Sequence, residues 1–200
     1  MKILPLNFYL NKDVIDVGQK LLGKYLFTKI DGVLTGGMIT ETESYKGIED
    51  KACHAYMGKK TNRNETMFEV GGVAYVYLCY GMHSLLNVVT NQKEVPEAVL
   101  IRAIEPIVGL DEMLKRRNKL KVERTLTSGP GSLSKALGIT KKINGKSFES
   151  KNIWIEDREV EISEKDIICS KRVGIDYAEE YVNKPWRFRI KNSKWTSVAK

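Results

Sequence analysis

The sequence predicts a mixed α+β fold: one compact domain over residues 1–200 with a central antiparallel sheet and flanking helices. Three observations carry that expectation. Turn signals join neighbouring strand-like runs, helical apolar spacing is confined to short stretches, and neither an internal repeat nor a linker divides the chain. At 200 residues the chain can bury about 70% of its unfolded surface, enough for one sizeable core.

Asn11 is placed to cap a first helix whose apolar positions Val14, Val17, Leu21 and Leu22 recur at helical spacing, with Gly23 as its stop. From Lys24 to Tyr45 the pattern turns strand-like, and Asp31-Gly32 joins KYLFTKI to VLTGGMITETESY as a hairpin. A period of two along the second strand sets Ile39, Glu41, Glu43 and Tyr45 on one face and Thr40, Thr42 and Ser44 on the other. Residues 46–72 lack periodicity and are rich in polar residues, Gly and Asn, which predicts a long irregular connection of the kind that often carries function. VAYVYLCY and LLNVVT follow as strands around Gly81-Met82-His83, and AVLIRAI is an apolar strand ending before Glu105-Pro106. GLDEMLKRR reads as a helix, SLSKAL after SGPG as another stopped by Gly138, and the last third holds several short strands.

The composition, 42% hydrophobic and 29% charged with no apolar run near the roughly 20 residues of a membrane span, excludes disordered, collagen-like and integral-membrane classes. Cys53, Cys79 and Cys169 form no C-x-x-C pair, which points to a reducing compartment, and the N-terminus does not read as a signal peptide. The formal charge of +8 is unevenly spread: residues 1–112 sum to −2, 113–148 to +9, 149–181 to −5 and 182–200 to +6. One such block is usually a solvated face. Two make a polyanionic partner a working expectation.

Several residues are equipped for chemistry. Glu43, beside Tyr45 on a sheet face, would serve as a general base if burial raised its pKa, and Glu41 on the same face competes for that role, since paired carboxylates also hydrolyse glycosides. Spacing alone does not choose between them. Tyr75 and Tyr77 share one strand face, while Tyr80 stands on the other immediately before the turn at Gly81, where an aromatic is a poor core residue and a plausible wedge. Adjacent Cys53 and His54, with Cys79 and His83, do not have metal-ligand spacing. The turn at Ser128–Gly131 lacks any accompanying phosphate-loop fingerprint.

Taken in order, ITETESYKGIEDKACHAY, TNRNETMF, AYVYLCYGMHSLLNVVT, AVLIRAIEP, SGPGSLSKALGI, INGKSF, KRVGIDYA and KPWRF resemble the alkyladenine, or methylpurine, DNA glycosylase family. The resemblance runs from Leu21 to Val198. It implies a curved central sheet, a protruding hairpin that inserts into DNA, and an enzyme that flips a damaged purine into an aromatic pocket and hydrolyses its glycosidic bond. Glu43 matches the water-activating glutamate, with Arg102 and the backbone carbonyl of Val173 beside that water. Tyr45, Tyr77 and His54 match the residues that sandwich the flipped base, and Asn87 the side chain that helps exclude guanine. Tyr80 matches the intercalating wedge, flanked by Met82.

The resemblance implies no metal and no cofactor, a monomer, and duplex DNA containing damaged purines as the partner. That places the protein on the nucleoid in a bacterial cytoplasm or in a eukaryotic nucleus. Lys115, Arg116, Arg117, Lys141 and Lys142, from the most basic block, are the candidates for DNA-backbone contacts. No lysine matches a Schiff-base nucleophile, so strand cleavage is not expected. The sequence departs from the family at Asn62, where proline is common, and in a slightly longer stretch at 91–97, both outside the matched pocket residues.

Overall fold

The Asp31-Gly32 turn closes the first hairpin where the sequence predicts it, and both residues have positive φ, 52° and 80°, the backbone of a tight hairpin turn. Residues 2–198 are described in the computed structural model of the chain. In order they form β1 (Lys2–Ile3), α1 (Leu6–Tyr9), α2 (Val14–Lys20), β2 (Tyr25–Ile30), β3 (Val33–Tyr45), β4 (Ala74–Cys79), β5 (His83–Thr90), β6 (Glu97–Val108), α3 (Leu110–Arg117), α4 (Pro130–Ala136), β7 (Ile153–Asp157), β8 (Ile167–Ser170) and β9 (Arg187–Ile190). The strands make one antiparallel sheet in the order β1-β7-β2-β3-β6-β5-β4, with β9 pairing both β3 and β8. It curls into a half-barrel and, with the four helices, gives the mixed α+β domain expected.

Strand β3 organises the molecule. Its first half pairs with β2 and its second half with β9, while β6 runs along the opposite edge. The residues around Glu41 to Glu43 are therefore held from both sides. Helix α2 packs on one face of this segment: Thr42 Oγ1 donates to the Gly18 carbonyl and Ser44 Oγ to the Val14 carbonyl, each at 2.8 Å. Gly18 is required for that approach, because a Cβ there would lie 2.2 Å from Ser44 Oγ. Val14, Val17, Leu21 and Leu22 are buried with Leu26, Ile39 and Ile101 in the main core, each such side chain contributing about 1.5–3 kcal/mol on burial.

Three expectations are corrected. The α2 cap is Asp13, whose side chain accepts the Ile15 N–H at 2.9 Å; Asn11 instead donates to Asp16 and accepts the Asp13 N–H. Strand β6 does not stop before Pro106 but runs to Val108, and the register skips Ile107 opposite Gly36 and Gly37, a bulge that accommodates the missing proline N–H. The strict alternation of β3 fails at Thr40, which the register skips. Thr40 and Glu41 both reach the 195–197 segment, while Ile39 belongs to the apolar core. The polar row therefore begins at Glu41.

Candidate active site

The site is a row of side chains laid across five strands. Directly opposed residues run Tyr75, Asn87, Leu100, Glu43 and Arg187 across β4, β5, β6, β3 and β9. Opposed residues in a sheet share a face, so the pleat sets a tyrosine, an amide, a carboxylate and a guanidinium side by side. A cavity of about 580 Å³ lies over this row, lined by Tyr45, His54, Tyr75, Tyr77, Asn87 and Arg102 among others. Arg102 sits there because of a third bulge: the register passes from Ala103 opposite Glu41 to Ile101 opposite Thr42 and skips it. Bulges re-aim a side chain, and this one turns the guanidinium toward both carboxylates. Its Nε donates to Glu41 at 2.7 Å and its Nη1 lies 3.2 Å from Glu43.

The two carboxylates, both fully buried, have different surroundings. Glu41 Oε1 accepts from Arg102 Nε, from Arg187 Nε at 2.8 Å and from Ser197 Oγ at 2.8 Å, and Oε2 accepts the Ser197 N–H. Burial pushes its pKa up, but Arg102, the Ser197 N–H and Arg187 together outweigh burial and hold it below the ordinary value. Glu43 Oε1 accepts the Val173 N–H at 2.8 Å, and Oε2 accepts from the Tyr45 hydroxyl at 3.0 Å. Here burial wins over Arg102 and these two hydrogen bonds, and the carboxyl is shifted upward. Tyr45, Arg102 and Val173 line the cavity, with Glu43 directly behind them. Val173 thus meets Glu43 through its amide N–H.

The walls are aromatic. His54 Nδ1 pairs with the Tyr75 hydroxyl at 2.9 Å, and its ring meets Tyr77 edge-on with centroids 4.5 Å apart. Burial, aided by the positive charge of Arg63, pushes the His54 pKa down to about 4, so the ring is neutral at neutral pH. Burial and the neighbouring Glu43 carboxylate raise the Tyr45 pKa well above its usual value, which keeps the phenol available as a donor. Asn87 is buried and its Nδ2 donates to the Tyr75 carbonyl at 3.2 Å. At the rim, β4 and β5 end in a tight turn in which Tyr80 (φ 50°) and Gly81 (φ 70°) precede Met82. Tyr80 is 87% exposed and Met82 74%.

The basic candidates divide by their partners. Lys115, Lys141 and Lys142 are exposed. Arg116 is engaged inside, donating to Glu112, Thr35 and the Ala136 carbonyl, and Arg117 donates to the Thr125 carbonyl and Ser132 Oγ. Arg187, counted in the basic C-terminal block, is buried on Glu41.

Sequence reasoning missed Arg63, whose guanidinium lies 5.4 Å from the Tyr77 ring centre at the cavity mouth, and Asn64, whose Nδ2 donates to the His54 carbonyl at 2.8 Å. It also missed the Arg172–Asp50 pair behind Tyr45. Arg172 and Asp50 are 122 residues apart, and Arg63 and Asn64 lie in the aperiodic 46–72 connection, so no local spacing announces these contacts.

Comparison with known proteins fits this geometry. Residues 7–194 match the profile of the Methylpurine-DNA glycosylase family. A Chlamydia felis protein provisionally named 3-methyladenine DNA glycosylase is 49% identical over 195 residues, covering 96% of this chain and 99% of its own. Proteins with the same provisional name from Clostridium novyi, 46% identical over 98% of this chain and 99% of theirs, and from Bacillus cereus, 45% identical over 96% and 98%, are equally collinear. With the family profile spanning nearly the whole described chain and these relatives aligned end to end, the protein belongs to the methylpurine-DNA glycosylase family.

Proposed function

We propose that this chain is a monofunctional DNA glycosylase, a hydrolase that flips alkylated or deaminated purines out of duplex DNA, releases the base, and so starts base excision repair. The observation that carries the reading is Glu43: a buried carboxylate shifted upward, held by a backbone N–H, a phenol and a guanidinium immediately behind an aromatic cavity. A general base works best with its pKa moved toward the working pH, and burial does that here. Each carboxylate oxygen has lone-pair capacity beyond its present partners, so Glu43 can take the proton of a water entering beside Tyr45, Arg102 and the Val173 carbonyl. The water oxygen bonds to the anomeric carbon as the glycosidic bond breaks and its electron pair leaves with the purine. Arg102, 3.2 Å from Glu43, favours the ionised carboxylate that accepts the proton.

The His54 and Tyr77 rings are too close to admit a base between them and act as one wall; the flipped purine stacks between that wall and Tyr45. An alkylated purine is cationic, suits electron-rich ring faces and is already a good leaving group. Extruding it costs a few kcal/mol, which Tyr80, entering the vacated stack with Met82 at its side, partly offsets. Asn87 acts against guanine at the floor. Exposed Lys141 and Lys142, with Lys115 only loosely paired to Glu112 at 4.0 Å, present charge to phosphates, whereas Arg116 and Arg117 already have internal acceptors.

A sugar-directed glycosidase using Glu41 and Glu43 is disfavoured, because Glu41 is saturated by two arginines and Ser197. A non-catalytic DNA-binding module would not need the upward-shifted Glu43 behind the pocket. A panel of duplexes carrying single 3-methyladenine, 7-methylguanine or hypoxanthine residues tests the reading by free base released. Glu43→Gln should bind lesion DNA and release base at least about 100-fold more slowly, the usual scale of general-base loss. Wild-type rates from that variant would refute it. Borohydride should trap no covalent adduct; an adduct would overturn the monofunctional assignment.

A further inference from the structure

The strongest unassigned feature is the group behind Tyr45. Arg172 and Asp50 have fully buried side chains and form a two-pronged ion pair, Nη1 to Oδ2 and Nη2 to Oδ1. Arg172 Nη1 also donates to the Ser44 carbonyl at 3.0 Å, and its guanidinium lies 4.7 Å from the Tyr45 ring centre and 5.0 Å from that of Trp186. Asp50 in turn accepts the N–H groups of Lys46 and Ala52. The pair therefore joins three segments: the end of β3 with Tyr45, the 46–55 turn that leads to His54, and the loop whose next residue, Val173, gives its N–H to Glu43. Tyr45 lines the cavity and Arg172 does not, so the guanidinium covers the side of the ring turned away from the cavity. A buried ion pair is a weak stabiliser in itself, and Arg172 Nε has no partner among the described residues, so the arrangement is better explained by what it positions than by what it stabilises.

We propose that Arg172, clamped by Asp50, is a positioning residue for this site: its planar guanidinium sets the plane of Tyr45, and its fixed backbone delivers the Val173 N–H to Glu43. The inference rests on the glycosylase reading above and deepens it. Lysine at 172 keeps a charge for Asp50 but loses the plane that stacks on Tyr45 and the two-pronged carboxylate contact. A small displacement of reacting groups is enough to slow an enzyme strongly.

The experiment is single-turnover release of hypoxanthine from a duplex at saturating enzyme, followed against pH, for wild type, Arg172→Lys and Asp50→Asn. Affinity for undamaged duplex and near-ultraviolet circular dichroism are measured alongside. Arg172→Lys should hold its native signal and its affinity for undamaged duplex, since Arg172 is buried away from DNA. Its release rate should fall at least about tenfold, and the acid limb of its profile should move to higher pH as Glu43 loses the Val173 hydrogen bond. Asp50→Asn should move the same readouts in the same direction with Arg172 still present.

A folded Arg172→Lys with wild-type rate and acid limb would overturn the proposal. Loss of the native signal in both variants would also overturn it, assigning the pair to folding alone. An equal drop in undamaged-duplex affinity would do the same by making Arg172 a DNA-binding element. The glycosylase reading fails separately, if wild type releases no base or Glu43→Gln releases it normally.

Discussion

Glu41 and Glu43 lie two residues apart on one sheet face, are equally buried and share Arg102, yet their surroundings drive them in opposite directions. Glu41 is surrounded by cationic and amide donors drawn from β6, β9 and the 195–197 segment, and is locked as an anion. Glu43 is met by Arg102, the Val173 N–H and the Tyr45 phenol, with Arg187 a weaker influence, and burial prevails. Neighbouring carboxylates whose environments separate their pKa values are how one site divides its labour. Here the division is between an anchor that ties three segments together and the carboxylate beside the cavity that we propose as the base.

The comparison can be broken most forcefully at the anchor. Glu41→Gln removes the carboxylate that buried Arg102 and Arg187 share, and should cost about 3–5 kcal/mol in urea or thermal unfolding. Glu43→Gln should cost much less at neutral pH, because the fold disfavours the Glu43 charge. Equal losses from the two variants would contradict the distinction.

Stability against pH gives the sign. Glu41, lowered in the folded state, contributes stability above the ordinary glutamate pKa that is lost as pH falls through its folded value. Glu43, raised in the folded state, contributes stability at low pH that is lost as pH rises through its folded value. Replacing Glu41 should therefore flatten the loss of stability below the ordinary glutamate pKa, and replacing Glu43 should remove a decline that sets in as pH rises above that value and ends once pH has passed the folded pKa of Glu43.

Smaller effects sharpen the same contrast. Tyr45→Phe removes one donor from Glu43 and none from Glu41. It should slow release by about tenfold, the scale of one hydrogen bond to a charged group, and move the acid limb to higher pH with little change in stability. Tyr80→Ala, at the exposed tip, should slow release from fully paired duplexes several-fold, and less from mismatched ones, leaving the acid limb in place. Lys141→Gln with Lys142→Gln should reduce the slope of log affinity against log salt by about 1.8, at about 0.9 per phosphate contact, and leave the single-turnover rate unchanged.

What was legible in the sequence follows range of interaction. The Asp31-Gly32 hairpin, the existence of α2 and the β4–β5 hairpin rest on local spacing and turn chemistry and stand where the sequence predicts them, whereas the ends of α2 shift to Asp13 and Leu21. The bulges at Thr40 and Arg102 were not legible, because alternation says nothing about where one strand slips against its neighbour. Glu41 and Glu43 are equivalent by spacing. Their difference lies in Arg187 and Ser197, 146 and 156 residues beyond Glu41, and in Val173, 130 beyond Glu43. The charge blocks were visible as totals, but not that Arg116 and Arg187 are spent on internal partners.

The central claim, that Glu43 is the base and its burial tunes it, is tested most directly by the pH dependence of single-turnover base release under saturating enzyme, with spontaneous depurination subtracted. The account predicts that wild-type rates rise with pH through one ionisation above the ordinary glutamate value of about 4.3, and that this limb disappears from the residual activity of Glu43→Gln. A limb retained unchanged in Glu43→Gln, or a wild-type profile flat across that range, would contradict it.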